Sequence, residues 1–257
     1  MSSNFKHIVF ERSDGVAKIT LNQPPFNWMT IAMMREINSA LESLLDDQEA
    51  KVLVFTGSGK AFSVGVDVAD HTADKVEEMI QVFHGMFRLL QKLDIPTLAV
   101  LNGAALGGGC ELAMACDMII ASERAKIGQP EIKVGVLAPV AAVLLPRIIG
   151  RTKALELLLT GDDIRAPEAE RIGLINKAVP PEELEAASEE FIGKLTGLSA
   201  AILRLNKRAV YQSFGLSFTD ALDKVESLYL GDLMVTEDAH EGLAAFLEER
   251  SPAWKNR

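Results

Sequence analysis

Three short apolar runs rich in β-formers, Lys51 to Thr56, Thr97 to Leu101 and Met118 to Ala121, recur along the first half of the chain. Runs that short and that continuously apolar read as buried strands. The first leads into a loop over residues 60–71, with Gly59 just before it and Gly65 inside it, and then into a helical pattern from about Ala73 to Leu93 that Pro96 stops. The second leads into Asn102-Gly103-Ala104-Ala105-Leu106-Gly107-Gly108-Gly109 and an apolar helix. The third leads to Gly128-Gln129-Pro130-Glu131. Strand, loop and helix in repeated order define an α/β architecture.

The flanks fit that frame. Ile8 to Arg12 and Val16 to Leu21 read as strands joined at Asp14-Gly15, a hairpin signal. Thr30 can cap a helix to about Leu45, with Ile31, Met34, Ile37, Leu41 and Leu44 at helical spacing. From about residue 139 the pattern turns mostly helical, through Leu155 to Thr160, Ala166 to Ile172, Pro181 to Leu195, and stretches within 198–213, 218–232 and 237–250. No Ser/Gly/Pro-rich linker intervenes, so we expect a catalytic core over residues 1–195 and a helical C-terminal region over 196–257.

Composition narrows the function classes. A chain of 257 residues with 48% apolar and 24% charged residues is ordinary for a soluble globular protein with one large core. A formal net charge of −10 argues against a nucleic-acid surface, though local basic spots could still hold a phosphorylated ligand. No apolar run reaches membrane length, and the opening residues 1–6 lack the apolar core of a signal peptide. Cys110 and Cys116, six apart on one predicted helix, are poorly placed to bridge and are expected as small core residues of a reduced, cytoplasmic protein. His7, His71, His84 and His240 are scattered and indicate no metal site, with His84 expected to be structural. Trp28 is expected to pack in the core rather than line an entrance.

The chemistry concentrates in two stretches, Gly107-Gly108-Gly109-Cys110-Glu111-Leu112 and Gly128-Gln129-Pro130-Glu131. Two carboxyl groups on one water can both remove and deliver a proton. Glycines before a helix let a ligand approach the backbone, leave amides unpaired and place them at the positive end of the helix dipole. Two such amides aimed at one point can stabilise an oxyanion. The glycine run is not a G-x-G-x-x-G dinucleotide fingerprint.

Ala61-Phe62-Ser63-Val64-Gly65-Val66-Asp67, the Asn102 to Ala113 stretch and Gly128-Gln129-Pro130-Glu131 together resemble the crotonase superfamily, also called the enoyl-CoA hydratase/isomerase family. The similarity runs from Leu21-Asn22-Gln23-Pro24-Pro25 to Thr236-Glu237-Asp238 and Glu241-Gly242. The resemblance implies a spiral of ββα units with a helical C-terminal trimerisation region, and a homotrimer or homohexamer. It also implies an acyl-CoA thioester as substrate, with coenzyme A part of the substrate and no further cofactor. Carried over by position, Glu111 and Glu131 would hold the catalytic water, and the amides of Val66 and Gly108 would form the oxyanion hole. Lys60, Ala61, Val64 and Asp67 would lie along the CoA. Having both glutamates favours hydration over double-bond isomerisation.

Two basic positions expected near the CoA phosphates are changed here, to Ala69 and Glu249. The segment after the second glutamate also departs from ordinary enoyl-CoA hydratases: glycines are replaced by Pro139, Ala141 and Ala142, and a threonine by Val143. Added methyl groups make a tighter, more apolar pocket. With Pro24-Pro25-Phe26-Asn27, this segment resembles the cyclohexa-1,5-diene-1-carbonyl-CoA hydratases of anaerobic benzoate degradation. The expected activity is therefore hydration of that cyclic diene, with straight-chain 2-enoyl-CoA hydration as the alternative. A non-catalytic binding protein on the same fold is the alternative of another class.

Overall fold

A computed structural model of the protein describes residues 5–257; the opening Met1–Asn4 lie outside the described residues. The chain opens on an antiparallel hairpin, β1 (Ile8–Ser13) and β2 (Val16–Leu21), closed by Asp14 and Gly15 at φ 50° and 78°. Positive φ at both central residues matches the twist of the flanking strands, which is why an Asp-Gly pair sits there. In α1 (Ile31–Glu42), Thr30 accepts from the Met33 N–H at 3.2 Å, and Met33, Met34, Ile37 and Leu41 face the core. This helix stops at Glu42, short of the expected Leu45.

Three strand pairs then repeat. β3 (Val52–Gly57) is followed by β4 (Ala61–Ser63) and the long α2 (Val76–Lys92). Next, β5 (Thr97–Leu101) is followed by β6 (Ala104–Leu106) and α3 (Gly108–Met114). The third pair, β7 (Met118–Ser122) and β8 (Lys126–Gly128), leads into a 3-10 turn at Pro130–Val134 and α4 (Pro139–Ile148). Each corner is tight. A Cβ on Gly103, between β5 and β6, would fall 2.1 Å from the Lys60 carbonyl oxygen, so only glycine fits.

The remaining elements are α5 (Arg151–Thr160), β9 (Asp163–Arg165), α6 (Ala166–Arg171), β10 (Lys177–Val179), α7 (Leu184–Thr196), α8 (Ala200–Ser213), α9 (Phe218–Leu228) and α10 (Glu237–Leu247). The first strand of each pair enters a six-stranded sheet of order β1-β2-β3-β5-β7-β10, the second a four-stranded sheet of order β4-β6-β8-β9. All ladders are parallel except β1/β2 and β8/β9. This alternation between two sheets is the expected spiral of an α/β chain. Two of its strands, β9 and β10, lie in the half expected to be mostly helical.

The larger sheet is buried on both faces. Leu53, Phe55 and Ala99 join the main core with α1 and α2, while Val52, Val54, Leu98, Val100 and Ile120 face α7. The boundary expected at residue 195 falls at the end of α7. Beyond it, α8 is tied to the sheet: Arg204 donates to the Ala50 carbonyl at 2.7 Å and Lys207 pairs with Asp117 at 2.8 Å. Cys110 and Cys116 are free and buried, as expected. Trp28 is 42% exposed, which corrects the core expectation. His84 is half-buried against Phe83, and its Nε2 has no partner. Among the described residues, no helix is long and apolar enough to cross a membrane.

Candidate active site

All seven residues of α3 are buried, and Glu111 is buried with them at 2% exposure. The glycines let the helix begin inside the protein, where a larger side chain would collide. Glu111 Oε1 accepts from the Ala141 N–H at 2.8 Å, in the first turn of α4. Burial disfavours the charged carboxylate and pushes Glu111 up to about 7; the Ala141 and Val140 amides oppose that rise, and the charge of Glu131 adds to it.

Glu131 is held differently. Pro130 fixes the start of the 3-10 turn, and the side chain is half-buried at its mouth. Burial raises its pKa too, with its own backbone N–H and the charge of His71 acting to lower it. One carboxylate oxygen lies over Gly107, where a Cβ would come within 2.9 Å of Oε1. With its nitrogen facing the carboxylate, the buried Gln129 amide donates to both Glu131 oxygens at 3.2 and 3.1 Å. The two glutamates are thus electrostatic neighbours at the N-terminal end of α3.

Two backbone amides complete the cluster. Met29 bridges the loop after β4 through the Gly65 carbonyl and the Asp67 N–H, at 2.9 and 3.2 Å, which leaves the Val66 N–H outside the ladder. Gly108 is the first residue of α3, so its N–H has no partner within the helix. Neither amide has an acceptor among the described residues. The loop and the helix start touch: a Cβ on Gly65 would lie 3.3 Å from Gly108 N, and one on Gly108 would lie 2.9 Å from Val66 Cγ2. Val66, Gly108, Glu111 and Glu131 therefore converge.

Lys60, Ala61, Val64 and Asp67 string along the same loop. Lys60 is exposed and lies at the far end of β4 from Val66. Ala61 is buried, and its carbonyl accepts from Asn27 at 2.8 Å and Asn102 at 3.3 Å. The half-buried Val64 donates its N–H to the Phe26 carbonyl at 3.1 Å. Asp67 accepts from the Ala69 N–H at 3.0 Å, capping the next turn. Among the described residues, no group of three or more His, Cys, Asp or Glu is placed to hold a metal.

A hollow of about 130 Å³ adjoins Glu131, lined by Gln129, Ala138, Ala142 and Leu158 among others. A second, of about 190 Å³, lies between α2 and α8, but Lys207 and Arg208 there are already paired with Asp117 and Asp94. Sequence reasoning missed the Ala141 amide, the Gln129 contact and the nearness of His71. The Ala141 amide left no side-chain signal; Gln129 sat inside a motif already in view.

Residues 11–257 match the enoyl-CoA hydratase/isomerase family. The chain belongs to that family. It is 39% identical over 257 residues to a probable enoyl-CoA hydratase of Mycobacterium tuberculosis, covering 98% of this chain and 99% of the relative. It is 38% identical over 248 residues to the cyclohexa-1,5-dienecarbonyl-CoA hydratase of Thauera aromatica, covering 96% and 95%. The crystal structure of an enoyl-CoA hydratase from Bacillus anthracis superposes with a TM-score of 0.93 at 31% identity, over 98% of this chain and all of that one. The protein is thus an enzyme of the enoyl-CoA hydratase type, a hydro-lyase with the fold of that family.

Proposed function

We propose that the enzyme hydrates cyclohexa-1,5-diene-1-carbonyl-CoA to 6-hydroxycyclohex-1-ene-1-carbonyl-CoA. The observation that carries the reading is the apolar hollow that Glu131 borders, with Glu111 and the free Val66 and Gly108 amides on the other side of that carboxylate's helix start. In this mechanism Glu111, once ionised, takes a proton from the bound water as its oxygen bonds to the ring carbon β to the thioester. Electron density moves through the diene onto the thioester oxygen, where the Val66 and Gly108 amides stabilise it. Glu131 delivers a proton at the far end of the diene, and the remaining double bond conjugates with the thioester. Each oxyanion donor is worth on the order of 3 kcal/mol of barrier. No electrons leave the substrate, so the reading calls for no cofactor beyond the CoA of the substrate. Exposed Lys60 is available for its phosphates.

Straight-chain 2-enoyl-CoA hydration is the second reading, favoured by near-equal identity to the Mycobacterium tuberculosis and Thauera aromatica relatives. Assays of purified enzyme with the cyclic diene and crotonyl-CoA side by side separate the two. We expect preference for the diene, lost in Glu111→Gln and Glu131→Gln. Faster turnover of crotonyl-CoA overturns the ring assignment. We also infer a cytoplasmic homotrimer or homohexamer. Free buried cysteines support the compartment, and exposed Phe218, Phe246 and Leu247 support assembly.

A further inference from the structure

We propose that Ala142 of α4 and Leu158 of α5 form the wall that sets acyl size, admitting a six-carbon ring and rejecting long chains. The inference rests on the hydratase reading above and on the acyl group entering the hollow beside Glu131. The volume there is about 130 Å³. An apolar cavity of roughly 150 Å³ is enough to hold benzene. The hollow is close to that size and opens to solvent past exposed Val136 and Leu137, so its inner part suits one ring or a short chain.

The wall is fixed by the chemistry it serves. Ala138 and Ala142 lie one helical turn apart and present only methyl groups to the hollow. Ala141, between them, is fully buried and donates its N–H to Glu111 at 2.8 Å. The first turn of α4 cannot retreat to admit a larger group without releasing that carboxylate. Opposite, Leu158 packs on the main core, and its neighbours Ala154 and Leu157 are buried, so α5 cannot yield either. A longer side chain at residue 142 would fill ring space; a shorter one at residue 158 would open space beyond it.

The test is kcat/KM for straight-chain 2-enoyl-CoA substrates of four, six, eight and ten carbons, and for the cyclic diene. Wild type is compared with Ala142→Leu and Leu158→Ala, and with Leu158→Val should the alanine variant melt early. One methylene that does or does not fit an apolar pocket changes kcat/KM by roughly 10- to 200-fold. We expect wild type to lose at least about tenfold between six and ten carbons. Leu158→Ala should raise the ten-carbon substrate relative to the four-carbon one by about tenfold, and Ala142→Leu should lower the ring relative to crotonyl-CoA by a similar factor. A flat chain-length profile in wild type, with long chains leaving past Val136 and Leu137, overturns the proposal. So do variants that lower every substrate by one common factor. If the ring is not turned over but the chain-length limit moves as described, the wall stands and the ring assignment falls.

Discussion

Glu111 and Glu131 carry the same functional group in opposite settings. Glu111 sits in a helix with every residue buried, and a backbone amide of a second helix holds its carboxylate. Glu131 sits in a short 3-10 turn that ends on exposed Val134 and leads into exposed Val136 and Leu137, and the Gln129 side chain holds its carboxylate. The first is part of the interior; the second rides on its edge. One carboxyl group is fixed by the fold, while the other borders a surface that can vary.

The largest effect expected is on turnover. Glu111→Gln and Glu131→Gln should each lower kcat by about 10²- to 10⁴-fold, the usual worth of a positioned proton carrier. A residual rate within tenfold of wild type in either variant would remove that residue from the pair. Stability should separate them next. Burial pushes the folded Glu111 up to about 7 from the usual 4.5, so its contribution is full below pH 4.5 and lost as pH rises through about 7. Above that, wild type carries a penalty on the order of 3 kcal/mol, which Glu111→Gln relieves while keeping an acceptor for the Ala141 amide. Melting temperatures measured from pH 4 to 8 should show Glu111→Gln gaining with pH and Glu131→Gln gaining less. Equal gains would break the contrast. The smallest effect concerns His71, whose charge opposes the rise that burial imposes on the Glu131 carboxyl. His71→Gln should move the Glu131-dependent limb of the kcat/KM profile to higher pH, and an unchanged profile would detach His71 from the site.

Legibility in the sequence followed element length. β3, β5 and β7 read clearly because four apolar residues in a row, inside strands of five or six, leave few other options. β4, β6, β8, β9 and β10 have three residues each, too few to show a period, and they went unread. Glu111 and Glu131 were visible because each places a carboxyl side chain in a glycine-marked stretch. The Ala141 amide was not, since Ala141 was read only for its methyl group. Trp28 was misjudged because its size says nothing about which way its loop turns.

The pairing of β10 with β7 has a consequence for synthesis. Lys177 stands opposite Ile120, and Asn176 holds the Ile119 N–H at 2.7 Å from 57 residues away. While the ribosome is still making the intervening helices, the segments of Glu111 and Glu131 already exist but the β7 edge is open. Paired with β5 on one side only, β7 leaves an apolar strand edge open on the nascent chain until residue 179 emerges, the kind of exposed edge that templates aggregation.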